Sequence, residues 1–533
     1  MNIPRLIRTV RYLKPIQIWN RLARKRFSLF ALQYTAQGTK HKAHPHNLAT
    51  PFTFLNQTAT PADWNDPALP KLWLYNLHYF DYLATKDRTE GAELIARWIA
   101  ENPRGWGNGW EPYPISLRVV NWIKWLQARD PAGSQSKARV EVEESLREQV
   151  AYLEPRLEYH LLANHLLANA KALVFAGAYF SKQLQSPRFV PSAHHCSHRF
   201  ATPSAVDNSP TDEVLQSLRW LKKGLAIYRK ELPEQVLDDG VHFERSPMYH
   251  SIILEDLLDC MRLLTQAPGD TEIDGRPLSH FAAEFRPYAE KMLSGLALLT
   301  GPDGKISLFN DSAHGIAKSP SELFAAAVSL GLTTPQSAQG TRHKAQGTPS
   351  GFLRLESPHY VLLAKTGEIG PSYQPGHAHA DTYSFELWRN GEKVVTDTGT
   401  DRYVVDDERR RQRGTAAHNT VTIDGKDSSE VWAGHRVGRR FDPRTHRRTF
   451  ELTDEGLRCT DEIGGRGEHT VELRWHLAPD VRTDDISLSL PSTLSVRTEP
   501  CLICEEFGRQ RPSLVLIATL RTTLPTTLCW TLR

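Results

Sequence analysis

The sequence predicts an α+β chain of two unlike halves, an N-terminal incomplete (α/α) toroid followed by a C-terminal antiparallel β-sandwich. Apolar residues recur at the helical period between about residues 61 and 330, and from about 351 the period changes to two. Breaker-rich stretches at 181–210 and 331–350 interrupt the periodic segments. The 533 residues exceed one ordinary core, so several units are expected. These are a basic segment and loop over 1–60, the toroid over 61–330, a linker or insert over 331–350 and the β domain over 351–533.

The totals narrow the class. A hydrophobic content of 40% and a charged content of 24% are those of a soluble globular protein. The net charge of +4 is too small to argue for nucleic acid, but it permits basic clefts that attract an acidic substrate. Six scattered cysteines make no disulfide framework. Cys501 and Cys504 form a lone CxxC that reads as part of a strand. His194, His195, Cys196 and His198 read as a loop. No run of about 18 apolar residues occurs, so no membrane span is expected. Arg5, Arg8, Arg11 and Lys14 precede no apolar run, so no secretory signal is expected, and residues 7–30 fit a basic amphipathic helix. The octapeptide at 36–43 returns with one change at 338–345, and both copies read as exposed inserts.

In the helical half, Glu90 to Ala100, Ile115 to Gln127 and Val140 to Leu153 carry the helical pattern. Tyr159 to Phe180 is apolar nearly all round and should be an inner helix. Val214, Leu215, Leu218, Leu221 and Leu225 mark another, opened by Ser209 and Pro210. Ser246 to Leu264 and Phe281 to Leu299 complete a series of paired helices. In the second half, Tyr360 to Ala364, Ser384 to Trp388, Lys393 to Asp397, Thr420 to Ile423, Thr470 to Trp475 and Ser513 to Leu520 read as strands.

Several stretches are more polar than packing requires. Between Gly105 and Pro114 the glycines permit close approach, while Trp106, Trp110 and Tyr113 offer flat faces; Arg118 follows. A turn with core aromatics is the rival reading. Asn164 and His165 sit within the apolar helix, with Asn169 beyond. A buried amide there must be paired or face a cavity. From Asp239 to His250 ionisable groups including Glu244 crowd a loop. Ser246 and Pro247 then open a helix that places Tyr249 in its first turn. Phe309-Asn310-Asp311-Ser312 carries the weakest signal and reads as a turn. In Gly376-His377-Ala378-His379-Ala380-Asp381, a strand would turn the three polar side chains to one face. With His418 on a neighbouring strand such a cluster can hold a divalent cation. Arg409, Arg410, Arg411 and Arg413 could meet an acidic glycan, with at least two of the four read as a solvated loop.

Taken together, Asn164-His165, the run Glu244 to His250, the run Gly376 to Asp381 and Ala417-His418-Asn419-Thr420-Val421 resemble the heparinase II/III family of polysaccharide lyases. The likeness covers the chain from roughly residue 70 onward. It implies the same toroid and β-sandwich, and β-elimination on a uronic-acid-containing acidic polysaccharide. By that resemblance Asn164 binds the uronate carboxylate with His165 assisting. Tyr249 and His377 share the base and acid roles, in an order that depends on the sugar epimer. Tyr403 is a second active-site tyrosine, and a tyrosine base would need a lowered pKa. His379, Asp397 and His418 match the ligands of a structural divalent cation, zinc first among them. Trp106, Trp110, Tyr113, Arg118, Glu244 and Arg413 are the expected substrate contacts. Exported relatives carry a signal peptide and none is apparent here.

Two rival readings use the same residues. A hydrolase on a similar toroid would need paired carboxylic acids, for which Glu244 and Asp311 are the candidates. A glycan-binding or assembly factor would keep the fold without turnover. The sequence leaves the sugar, the mode of cleavage and the oligomeric state open.

Overall fold

The structure is a computed structural model that describes residues 10–23, 48, 50–129, 137–184, 212–266, 272–335, 348–439 and 442–533. The octapeptide copies, the 194–198 tract, the cap at Ser209 and Pro210 and most of the segments 24–47, 185–211 and 336–347 lie outside the described residues.

The helical half runs through Lys71–Tyr79, Arg88–Glu101, Pro112–Arg129, Lys137–Leu153, Ala163–Leu184, Asp212–Gln235, Pro247–Thr265, Leu278–Leu299 and Pro320–Ser329. The apolar reading of 159–180 reflects burial: Leu166, Leu167, Ala170, Leu173, Val174, Ala176 and Phe180 are all inaccessible to solvent or nearly so. That helix begins at Ala163 rather than Tyr159, because Leu162 and Ala163 both take left-handed backbone (φ 62° and 51°). It lies tight against Asp212–Gln235. A Cβ on Gly177 would meet the Leu221 nitrogen at 2.6 Å, and one on Gly224 the Ala170 oxygen at 2.8 Å. Only glycine fits at these two crossings. Pro320–Ser329, not foreseen, opens with a capping box between Ser319 and Glu322.

Among its described residues the second half holds two larger antiparallel sheets and the small hairpin Ser429–Trp432 with Arg436–Arg439. Phe352–Glu356, Tyr360–Lys365, Phe385–Arg389 and Glu392–Val395 form a four-stranded meander. The other sheet is built on the long strands Gly456–His476 and Arg509–Leu532. Thr445–Thr453, Leu488–Ser489, Ser495–Glu506 and Val421–Ile423 pair with them. Cys501 and Cys504 lie in one of these strands, as read.

Period-two patterning explains how the halves join. On one face of the meander Leu362, Phe385 and Leu387 pack with Leu457, Ile463, Leu473 and Trp475 of the larger sheet. On the other face Phe352, Leu363 and Trp388 pack with Val241, Leu299 and Phe309 of the helical half. The small sheet is therefore buried on both sides and welds sandwich to helices. Leu363→Ala should cost about 2–5 kcal/mol in urea unfolding, the range for a buried Leu truncated where the surroundings cannot fully collapse. Loss of much less would mean the weld is loosely packed.

Candidate active site

A cavity of about 1060 Å³ opens where the two halves meet, and Tyr113, Asn164, His165, Tyr249, His377 and Tyr403 all line it. Left-handed backbone places the helical contributions. Leu162 and Ala163 lead into Asn164, Arg245 (φ 57°) separates Glu244 from the Ser246 cap, and Asn310 (φ 59°) precedes Asp311. Such conformations cost on the order of 1–3 kcal/mol each and persist only where surrounding contacts fix them. Here they do. Asn310 Nδ2 donates to the Arg245 carbonyl at 2.8 Å, and the Ser246 hydroxyl donates to the Asp311 carbonyl at 2.6 Å. The same Ser246 oxygen accepts from the Tyr249 backbone N–H at 3.3 Å, so the loop carrying Asp311 also caps the helix carrying Tyr249.

From the sheet side, residues 376–381 form no strand; they run as turn and extended loop ahead of Phe385–Arg389. The expected alternation survives only in part. The Asp311 backbone N–H donates to the His377 carbonyl at 3.0 Å, and the His379 N–H donates to Asn310 Oδ1 at 2.9 Å. Both rings then meet one carboxylate: His377 Nδ1 lies 3.1 Å from Asp311 Oδ2 and His379 Nε2 lies 2.8 Å from Oδ1. Arg409 Nη2 completes the set at 2.8 Å from Oδ2. Asp381 turns away to pair with the buried Lys365 ammonium, which also donates to Asn310 Oδ1 at 2.6 Å.

The candidate groups are close. The rings of Tyr249 and His377 stack at 3.7 Å, and the Tyr249 and Tyr403 hydroxyls lie 3.1 Å apart. Asn164 Nδ2 donates to Glu244 at 3.0 Å and lies 3.3 Å from His377 Nε2. With Nδ1–H donating to Asp311, His377 Nε2 is the acceptor, so this tautomer aims a lone pair at the cavity. His165 packs tilted against the Tyr113 ring at 4.7 Å and lies 3.1 Å from Glu158 through Nδ1.

Electrostatics assigns protonation states. Burial alone would raise the Asp311 pKa, but Arg409 and the two histidines overcome it and hold the carboxyl well below its ordinary range. Burial pushes both phenols well above the ordinary tyrosine value, reinforced at Tyr249 by the Tyr403 hydroxyl and at Tyr403 by the Asp311 charge. Neither phenol therefore has the lowered pKa that a tyrosine base would need: Arg409 lowers Tyr403 but does not overcome burial, and the phenols keep their protons. Burial also raises Glu244.

Five of the six expected substrate contacts do not line the cavity. Trp110 is core, donating to the Asn102 carbonyl at 3.0 Å and packing edge-on with Tyr152. Arg118 is buried over the Trp98 ring at 3.8 Å, with its donors on Gln149, His78 and Gly109. Arg413 is buried and donates to the carbonyls of Ala433, Ala378 and Arg436. Glu244 lies behind Asn164 and orients its amide. Trp106 is exposed, away from the cavity. Arg410 and Arg411 pair with Asp407 and Glu408 on the short helix Asp407–Arg413. Sequence reasoning missed the central role of Asp311, and with it Arg409, Lys365 and His435. Asp311 sits in a four-residue turn-like run, and only its Asn-Asp-Ser polarity between buried apolar residues hinted at more.

Beside this site lie His379, Asp397 and His418. His418 Nδ1 is 2.8 Å from Asp397 Oδ2, and the rings of His379 and His418 are 5.4 Å apart. His379 Nδ1, His418 Nε2 and Asp381 Oδ2 are buried polar atoms without a hydrogen-bond partner. Two bare imidazole nitrogens beside carboxylates fit a divalent cation by donor chemistry. Ligand atoms of Asp311, His377 and His435, unlike those of His379, Asp397 and His418, all lie within 4.8 Å of one another. Arg409 already occupies that carboxylate, and its charge would repel a cation.

Comparison with known proteins agrees with this layout. Residues 339–445 and 441–531 match the family described as Heparinase II/III-like, C-terminal, and residues 210–330 match Heparinase II/III N-terminus. A heparin-sulfate lyase of Bacteroides thetaiotaomicron is 26% identical over 319 residues, covering 50% of this chain and 43% of that protein. One of Pedobacter heparinus is 24% identical over 375 residues, covering 65% and 50%. The chain thus spans half or less of the length of these relatives. A crystal structure of heparinase III superposes with a TM-score of 0.62 at 18% identity, covering 87% of this chain and 76% of that one. The structure of a heparinase III gene product gives 0.60 at 17%, covering 98% and 92%.

The buried histidines set an acid limit on the fold. His250 accepts from the His242 N–H at 3.1 Å and donates to the Met292 carbonyl at 3.0 Å, and burial lowers its pKa from 6.5 to about 4. The native ring stays neutral while the unfolded chain takes up a proton below 6.5, so this stability is present above 6.5 and is lost as pH falls toward 4. Urea unfolding should weaken over that window, with a shallower slope in His250→Asn; an unchanged slope would show that this ring does not carry the effect.

Proposed function

Because this chain belongs to the heparinase II/III family, we propose that it is a polysaccharide lyase cleaving a uronic-acid-containing polysaccharide by β-elimination. The observation that carries the reading is the meeting of Asn164 and Tyr249 from the helices with His377 and Tyr403 from the sheet half around one cavity. The names of its relatives favour a glycosaminoglycan of the heparan sulfate type.

We assign the steps on this reading from the contacts present. An arriving uronate carboxylate takes the Asn164 N–H now given to His377 Nε2. That neutralises part of the carboxylate charge, which acidifies the C5 proton, and it frees the Nε2 lone pair. His377 Nε2 takes the C5 proton. The C5 electron pair forms the C4–C5 double bond as the C4–O bond breaks, and the leaving oxygen takes its proton from the Tyr249 hydroxyl. Asp311 stabilises the imidazolium that forms, with Arg409 keeping it ionised. Tyr403 donates toward Tyr249 as the phenolate develops. The hydrolase reading is weaker: Asp311 is saturated by Arg409 and two histidines, and neither it nor Glu244 lines the cavity.

His379, Asp397 and His418 are inferred to hold a structural divalent cation, zinc by their imidazole and carboxylate donors. Bound there, the ion supplies positive charge that braces the loop carrying His377.

Incubation with heparan sulfate, hyaluronan, chondroitin and alginate should yield ultraviolet-absorbing unsaturated ends from at least one polymer. Tyr249→Phe should cut the rate about 10²- to 10⁴-fold, the usual worth of a positioned acid or base. Saturated product ends, or silence across the panel, would reject elimination. Separately, the purified protein should carry about one equivalent of divalent metal and His379→Ala much less, with a lower melting temperature. Equal metal content in the two would reject the ligand set.

A further inference from the structure

Two guanidinium groups on the cavity wall are left over by this mechanism. Arg21 belongs to the helical residues 15–23, and its Nη2 donates to the His160 carbonyl at 3.4 Å, four residues before Asn164. Arg436 follows His435, whose ring packs against His377 at 5.9 Å and Tyr403 at 4.9 Å. Both line the same cavity as the reacting groups, one approaching from the helical half and one from the sheet half. The lysines that share this cavity are neutralised: Lys171 by Asp256 and Asp259, Lys124 by Asp259, and Lys318 by Glu255. Among the described residues, neither Arg21 nor Arg436 has a carboxylate within ion-pair distance. Burial and then the charge of Arg436 both lower the Arg21 pKa, so the two groups feel each other. Two like charges facing one cavity repel, and a bound anion between them removes that repulsion while accepting charge-assisted hydrogen bonds from both.

We propose that Arg21 and Arg436 form a second anionic subsite, which takes a carboxylate or sulfate on the sugar adjoining the one that loses its C5 proton. This rests on the lyase reading for the identity of the polymer, but not for the binding itself. It makes the N-terminal segment part of the substrate cleft and not a separate appendage. It also makes the cleft selective for chains with anions on neighbouring sugars.

The test compares Arg21→Ala, Arg436→Ala and the double variant, on heparan sulfate and on the same polymer fully desulfated and N-acetylated. Each single variant should raise KM about tenfold, as expected for losing a charge-assisted hydrogen bond, with kcat within about twofold. The double variant should lose less than the product of the singles, because one anion serves both arginines. A penalty that vanishes on the desulfated polymer identifies sulfate; one that persists identifies a carboxylate. Unchanged KM in both singles, or penalties that simply multiply, would overturn the subsite. Equilibrium binding of both polymers is measured alongside. Arginine-dependent binding without unsaturated product would sink the lyase reading and leave the subsite standing.

Discussion

The site hangs on one carboxylate. Asp311 is fully buried, yet ionised, because Arg409 and two histidines surround it. Each of these groups would be costly to bury alone; together they satisfy one another. The arrangement fixes the His377 tautomer, orients the ring on which Tyr249 stacks and compensates the Arg409 charge, which also lies over the Tyr403 ring at 5.0 Å. Asp311 comes from the helical half, while all three partners come from the sheet half, so the interaction also locks the two halves in register.

His379 extends this constraint outward. Its Nε2 is held by Asp311 while its Nδ1 faces the cluster of Asp397 and His418, so one ring belongs to two polar networks. Lys365 and Asn310 form a parallel connection, the ammonium bridging Asp381 and the Asn310 side chain, whose amide reaches Arg245. Networks of this kind gain from every member being satisfied and lose disproportionately when one is removed. Disturbance near Asp397 would therefore be transmitted to His377 through contacts already described.

Much of this was legible in the sequence, for physical reasons. Burial on all sides marked the inner helix 163–184, and burial on both faces marked Tyr360–Lys365. Asn164 and Tyr249 reach the cavity on helices as expected, whereas His377 reaches it from a loop where a strand was expected. What the pattern could not convey was direction and pairing across long separations. Arg118 and Trp110 looked like cleft residues because glycine-rich loops with aromatics serve ligands and cores alike; only three-dimensional packing sends them inward. Asp311 looked like a turn because it is one, and its importance lies in partners 66 to 98 residues away. The high pKa values of the two phenols could not be read from the sequence because they follow from burial.

The left-handed residues beside Asn164, Glu244 and Asp311 have an evolutionary consequence. Glycine adopts that backbone without steric penalty, so positions such as Ala163 and Arg245 offer cheap gains in fold stability. A selection that rewarded only heat tolerance would drift toward glycine there and release the very hinges that aim the amide and the phenol. Glycine at either bend would thus be expected to leave the overall shape in place while loosening the aim of the amide and the phenol.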